Sequence, residues 1–184
     1  MWSSLKTKKI ALAGILLAIS TICLLLALYL PTSKLAFLSA ASFITGAAIR
    51  EVGLKFGLAY SMGTYATGFL VMSGLPIYVV YAVLFAPYGL VREVLEKISN
   101  KILKSLLKVV YFNVVFFLFL KVFESIIFDF NGLKRLLGLS DGDYLLYVVI
   151  FVAGNIAFII YDMAFEAAMR FYKARISPII NKNN

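Results

Sequence analysis

Histidine is absent from the 184 residues and cysteine occurs once, at Cys23. Without imidazole, and with a single thiol, the chain can assemble neither a zinc site nor a nucleophilic mechanism that relies on a histidine base. Cys23 has no partner for an intramolecular disulfide, so the redox compartment is not legible, and its place inside an apolar run makes it a packing residue. Charge is scarce as well: Asp, Glu, Lys and Arg make up 15% of the residues against 62% hydrophobic ones, where soluble domains average about a quarter and a half. So few polar side chains cannot clothe a soluble globule of this size, and a bilayer removes the need. Phosphate-binding P-loops, the G-x-S-x-G serine elbow and metal-ligand spacings are also missing, so no catalytic residue, metal ligand or cofactor site is assigned, and an enzyme is not expected.

The net charge of +9 raises nucleic acid as a partner. The basic residues, however, lie in short clusters between apolar runs and form no continuous stripe, which points to charged membrane loops and excludes nucleic acid from the expected partners.

What the chain does have is a succession of apolar runs, read here as one transmembrane domain over 1–184. Lys6, Lys8 and Lys9 lead into the first run as they would into a secretory signal. From Ile10 to Leu30, however, that run has about the 20 residues that cross the hydrocarbon core, beyond the roughly 7–15 of a signal core, and no small-residue cleavage site follows. Helix one is therefore expected from Lys9 to Leu30, ended by Pro31. Helix two, Leu35–Ile49, rises only roughly 22 Å and is short enough to be a re-entrant segment. Helix three is expected over Val52–Ser73, before the Gly74-Leu75-Pro76 turn, and helix four from there to Val91. In the polar stretch Arg92–Lys108, Val91, Leu95, Ile98 and Ile102 recur every three or four residues opposite Arg92, Lys97, Lys101 and Lys104, which predicts an amphipathic helix at an anionic membrane surface. Helix five follows over Leu106–Phe128 and helix six over Asp143–Phe165.

Charge placement decides between five and six spans. With six and a cytoplasmic N-terminus, the clusters around Lys8, Arg50, Arg92–Lys108 and Arg170–Lys182 fall inside, and only Lys34, Lys134 and Arg135 fall outside. A re-entrant second helix would move Arg92–Lys108 outside, against the positive-inside rule. The expected fold is an all-α bundle of six transmembrane helices in the plasma membrane, both termini cytoplasmic, with the amphipathic cytoplasmic helix between helices four and five.

Within that bundle a few residues carry chemistry. Ala11, Gly14 and Ala18 share one face of helix one, and Gly14 with Ala18 forms a small-x-x-x-small pair that serves either packing inside the bundle or docking of another membrane protein. Gly57, Ser61, Gly63, Thr64, Thr67 and Gly68 give helix three a similar choice. Lys121 and Glu124 lie one turn apart inside the bilayer, as a self-neutralised pair or as the polar wall of a cavity. Asn155 faces that cavity or makes an interhelical hydrogen bond, and Tyr81, Tyr144 and Tyr147 can supply hydroxyls or stacking faces. Asp162, Glu166 and Arg170 form a charged ladder where helix six leaves the membrane, near Arg50 and Glu51. Asp141-Gly142-Asp143 is a turn and helix cap, not a metal motif.

Lys9-Ile-Ala-Leu-Ala-Gly-Ile-Leu-Leu-Ala18, together with Arg50-Glu51-Val52-Gly53 and Tyr81-Ala-Val-Leu-Phe-Ala-Pro-Tyr-Gly-Leu-Val-Arg-Glu-Val-Leu-Glu96, resembles the substrate-binding S component of energy-coupling factor (ECF) transporters, in particular S-component-like proteins of Gram-positive bacteria. The resemblance runs from Lys9 to about Leu120. It implies a subunit without its own ATPase that captures a vitamin or other small molecule outside and passes it on with a transmembrane T component and two cytosolic ATPases. The family's small-x-x-x-small docking pair maps onto Gly14 and Ala18, with Gly14 in place of the usual alanine and Ala11 one turn earlier. An outward substrate pocket would then draw on Tyr81, Lys121, Glu124, Tyr147 and Asn155. No family vitamin-binding motif is present, and the lack of histidine counts against nickel and cobalt as cargo. The rival reading is a membrane scaffold of the bacterial envelope, whose polar residues only tie helices together.

Overall fold

The computed structural model describes residues 2–30, 32–126 and 145–181, with side chains described over 7–30, 32–121, 147–178 and at 180. The Asp141–Asp143 turn, Tyr144, Lys134, Arg135 and the side chain of Glu124 lie outside these residues. The described chain is helical, without a strand. Six long helices follow one another: α1 (Trp2–Tyr29), α2 (Lys34–Val52), α3 (Leu54–Met72), α4 (Pro76–Leu95), α5 (Lys101–Ile126) and α6 (Leu145–Phe171), the last continued by a short turn and Ser177–Asn181. Among the described residues, all but α3 contain a stretch long and apolar enough to cross a membrane. The α3 helix matches α2 in length, but Ser61, Gly63, Thr64, Thr67 and Gly68 dilute its apolar character.

The doubtful second helix is the axis of the bundle. At 19 residues it rises roughly 28 Å, close to a full hydrocarbon core. The expected span looked short because it stopped before Arg50. The helix is also enclosed by protein: Ala41, Ser42, Thr45, Gly46, Ala47 and Ala48 are all buried, and small side chains are what let neighbouring backbones close in within a membrane. Outward faces elsewhere carry large apolar groups such as Ile15, Met62, Leu70, Val114 and Ile159, which is the surface expected against lipid. The α2 to α3 connection is a single residue, Gly53, whose φ of 86° is open to glycine at no steric cost.

The expected amphipathic helix over Arg92–Lys108 is not formed. Arg92–Leu95 complete α4, a short turn follows, and α5 already begins at Lys101. The cause is Asn100, whose side-chain oxygen accepts the N–H groups of Ile102 at 3.0 Å and Leu103 at 3.2 Å and so caps a new helix. The periodic apolar residues are therefore divided: Val91 and Leu95 belong to α4, Ile98 to the connection and Ile102 to α5.

Two prolines leave the same mark. Tyr81–Phe85 in α4 and Tyr172–Ile176 after α6 are turns of wider, π-type winding, and Pro87 and Pro178 stand two residues beyond them. A proline ring collides with the carbonyl four residues back, here Val83 and Ala174. Widening the helix there relieves the clash and hands the N–H of Ala86 to Tyr81 and that of Ser177 to Tyr172. The Ser42 hydroxyl donates to the Phe85 carbonyl at 2.7 Å, tying the widened turn to α2.

Contacts fix the helix directions. Tyr60 of α3 bonds Ser20 of α1 at 2.6 Å, and Gly63 and Gly68 pack beside Leu17 and Leu24, so α1 and α3 are parallel. Lys108 meets Asp162 and Asn113 meets Asn155, so α5 and α6 are antiparallel. One buried cluster joins Leu24, Leu38, Met72 and Tyr81; the other joins Ala47, Tyr88, Phe158, Phe165 and Met169. The second lies directly beneath a charged end.

Candidate functional site

At that end the final turns of α2 and α4, the first turns of α5 and the late part of α6 converge. Asp162 is the hub. Its carboxylate accepts hydrogen bonds from the Tyr88 hydroxyl, from Arg92 Nε at 3.2 Å and from Lys108 Nζ at 3.0 and 3.1 Å. Glu96, one turn beyond Arg92, takes Lys104 at 2.8 Å and lies 3.1 Å from Lys108 and 3.4 Å from Arg92. Arg50 closes on Glu93 at 2.6 Å. Arg92 is 1% exposed and Lys108 6%, and an unpaired buried charge costs several kcal/mol. The carboxylates from α4 and α6 offset that cost, and the Arg92 guanidinium also lies 4.7 Å from the Phe165 ring centre. Burial opposes ionisation of Glu96, but the hydrogen bonds and charges of Lys104 and Lys108, with Arg92 behind them, outweigh it and bring the carboxyl down to about 2.

Above this network opens a cleft of about 500 Å³, in which Arg50, Arg92, Lys101, Lys104, Lys108, Arg170 and Lys173 outnumber Glu96, Asp162 and Glu166. The surplus of cations makes it a place for an anion. Behind Asp162 a second, apolar cavity of about 180 Å³ runs between α4, α5 and α6, from Leu35 and Val80 to Tyr88, Tyr111 and Tyr161, past Phe112, Phe116, Gly154 and Phe158. Tyr88 stands between the two: it lines the cavity, and its hydroxyl bonds the Asp162 carboxylate, which lines the cleft. On α5 the positions Lys104, Lys108, Tyr111 and Val115 recur every three or four residues, so one helical stripe passes from cleft into cavity. The Tyr111 hydroxyl is buried and makes no hydrogen bond among the described residues.

The outward pocket expected from Tyr81, Lys121, Glu124, Tyr147 and Asn155 is not assembled among the described residues. Tyr81 is fully buried in the core beside Leu24 and Leu38, so it is a packing residue. Asn155 exchanges two 3.1 Å hydrogen bonds with Asn113 across α5 and α6, the interhelical bond that was the alternative for it. Lys121 is exposed, its ammonium 6.0 Å from the Phe117 ring centre, and Tyr147 is exposed at the start of α6. Ala11, Gly14 and Ala18 are exposed on α1, and a Cβ added at Gly14 would meet nothing within 4 Å. Of the charged ladder, Asp162 turns into the network while Glu166 and Arg170 line the cleft.

Sequence reasoning missed Tyr88, Tyr111 and the pairing of Lys108 with Asp162. The signal for the first turns of α5 was present in Ser99-Asn100, a helix-capping pair just before Lys101. Comparison with protein-family models, with curated proteins and with solved structures finds no match.

Proposed function

We propose that this chain is a membrane-embedded binding subunit of an S-component-like kind, which holds a small molecule between α4, α5 and α6 and works with a second membrane protein. The observation that carries this reading is the pair of adjoining recesses, a cationic cleft and, on the other side of the Tyr88–Asp162 hydrogen bond, an aromatic cavity. Helix bundles that serve only as supports close such space, because membrane helices associate through tight packing. By the positive-inside rule the cleft and both termini face the cytoplasm of a plasma-membrane protein. The bound molecule then lies toward the cytoplasmic side.

The partners in this reading are a transmembrane T component and two cytosolic ATPases, with Ala11, Gly14 and Ala18 as the docking face. Support comes from their outward position: space is open at Gly14, so the small residues are not consumed by packing inside the bundle. The test is co-purification of the tagged chain with the T component of the same organism, for wild type and for Gly14→Leu. Capture by wild type and loss by a folded Gly14→Leu is the expected result. No capture by either, with no retained small molecule, would sink the proposal. It would favour the scaffold reading, for which the Asn113–Asn155 pair and the ion-pair network speak.

A further inference from the structure

We infer that the recess takes an amphiphile with a phosphate-type anionic headgroup and a single hydrocarbon chain, the headgroup in the cleft and the chain in the aromatic cavity. This rests on the reading of the recess as a ligand site and adds the chemical class of what fills it.

Three features carry it. First, the cations of the cleft are not all used. Arg50, Arg92, Lys104 and Lys108 are engaged by Glu93, Glu96 and Asp162, but Lys101, Arg170 and Lys173 make no ion pair among the described residues and face the same space. Set against Glu166, which lines the same cleft without an ion pair among the described residues, these three cations leave two positive charges, and a doubly charged oxyanion matches them, since its several acceptor oxygens can serve several ammonium and guanidinium donors at once. Second, an apolar cavity adjoins the cleft: Tyr88, hydrogen-bonded to the cleft residue Asp162, lines a space walled by aliphatic and aromatic side chains, which no free polar anion would use. Third, the Lys104–Lys108–Tyr111–Val115 stripe orders the chemistry along one direction: ammonium groups, then a buried hydroxyl without a partner, then hydrocarbon. An amphiphile has that same order of groups along its length. The cavity volume of about 180 Å³ suits one narrow chain, not a two-chain lipid body.

Isothermal titration of the full chain in phosphatidylcholine nanodiscs, with empty nanodiscs subtracted, separates the sources of the anion. The probes are dodecyl phosphate, inorganic phosphate and dodecanol. The variants are the triple substitution Lys101→Gln, Arg170→Gln, Lys173→Gln, which touches no ion pair, and Ala157→Phe, which fills the cavity from an exposed position. Helical content by circular dichroism confirms that each is folded. Saturable binding of dodecyl phosphate is expected, weakened at least about 10-fold by the triple substitution, and weakened by Ala157→Phe while inorganic phosphate is unaffected by it. If inorganic phosphate binds as tightly as dodecyl phosphate and Ala157→Phe changes neither, the recess is an anion site and the amphiphile inference is overturned, with the binding-subunit reading intact. Dodecanol binding as tightly as dodecyl phosphate overturns the headgroup assignment in the same way. No saturable binding of any probe, together with no small molecule retained by the purified protein, overturns both.

Discussion

Replacing Asp162 by Asn keeps the shape of the hub and removes its charge, so the size of the effect follows from what the carboxylate holds. It serves Arg92 at 3.2 Å and Lys108 at 3.0 Å, two cations that are almost completely buried. Breaking a buried pair costs about 3–5 kcal/mol because the partner charge is left uncompensated. Two things reduce that here. The Asp162 side chain is 23% exposed, and both cations keep Glu96, at 3.4 and 3.1 Å. Asp162→Asn is therefore expected to lose about 2–3 kcal/mol of stability. Equilibrium unfolding in mixed micelles, followed by far-ultraviolet circular dichroism, measures it. The decisive control is Lys108→Met. In the double variant neither charge is left alone, so the two losses should fail to add by about 1–2 kcal/mol. A loss under about 0.5 kcal/mol for Asp162→Asn, or simple additivity, would refute the reasoning, because either means that the hub carboxylate does not hold those charges.

Three further outcomes follow from the packing and the charges. A Cβ at Gly89 would lie 2.7 Å from the Ser42 carbonyl oxygen and 3.1 Å from Thr45 Cβ, so Gly89→Ala should cost about 1–3 kcal/mol by forcing α2 and α4 apart, measured by the same unfolding assay. Asn113→Leu should cost about 0.6–1.7 kcal/mol, and adding Asn155→Leu should restore part of it, because the amide oxygen that Asn113 served is no longer left without its donor. Glu96 ionises more readily in the folded protein than when unfolded, so its contribution is fully present at neutral pH and is lost as pH falls from about 4.5 toward about 2. Thermal midpoints across that range should fall less for Glu96→Gln than for wild type.

The elements readable in the sequence were those whose signals are local. α1 stops just before Pro31 as expected, α4 opens on Pro76, the last residue of the expected turn, and each apolar run predicted a helix, although α1 and α5 begin earlier and α6 ends later than the runs indicated. The second helix was doubted for its length, because the apolar run ends at Ile49, but α2 continues through Arg50 and Glu51 to Val52. The wider turns at Tyr81–Phe85 and Tyr172–Ile176 were not anticipated, although Pro87 and Pro178 marked both. The site was less legible. Apolar periodicity from Val91 to Ile102 is equally compatible with one surface helix or two helix ends, and only the cap at Asn100 distinguishes them. Asp162, Lys108 and Tyr88 are far apart in sequence, and their meeting depends on how α4, α5 and α6 pack. Asn155 shows the converse: a polar residue in a membrane helix drew attention as a ligand group, while its partner Asn113 supplies the bond it needs.

If the space between α4, α5 and α6 holds a ligand in the membrane, native mass spectrometry should detect it. Wild type and Ala157→Phe would be extracted gently from membranes and weighed without denaturation. Wild type should carry a discrete additional mass in the range of a single small molecule, released on unfolding, and Ala157→Phe should lose most of it while remaining helical. The bare polypeptide mass in both, or the same adduct in both, would contradict the claim.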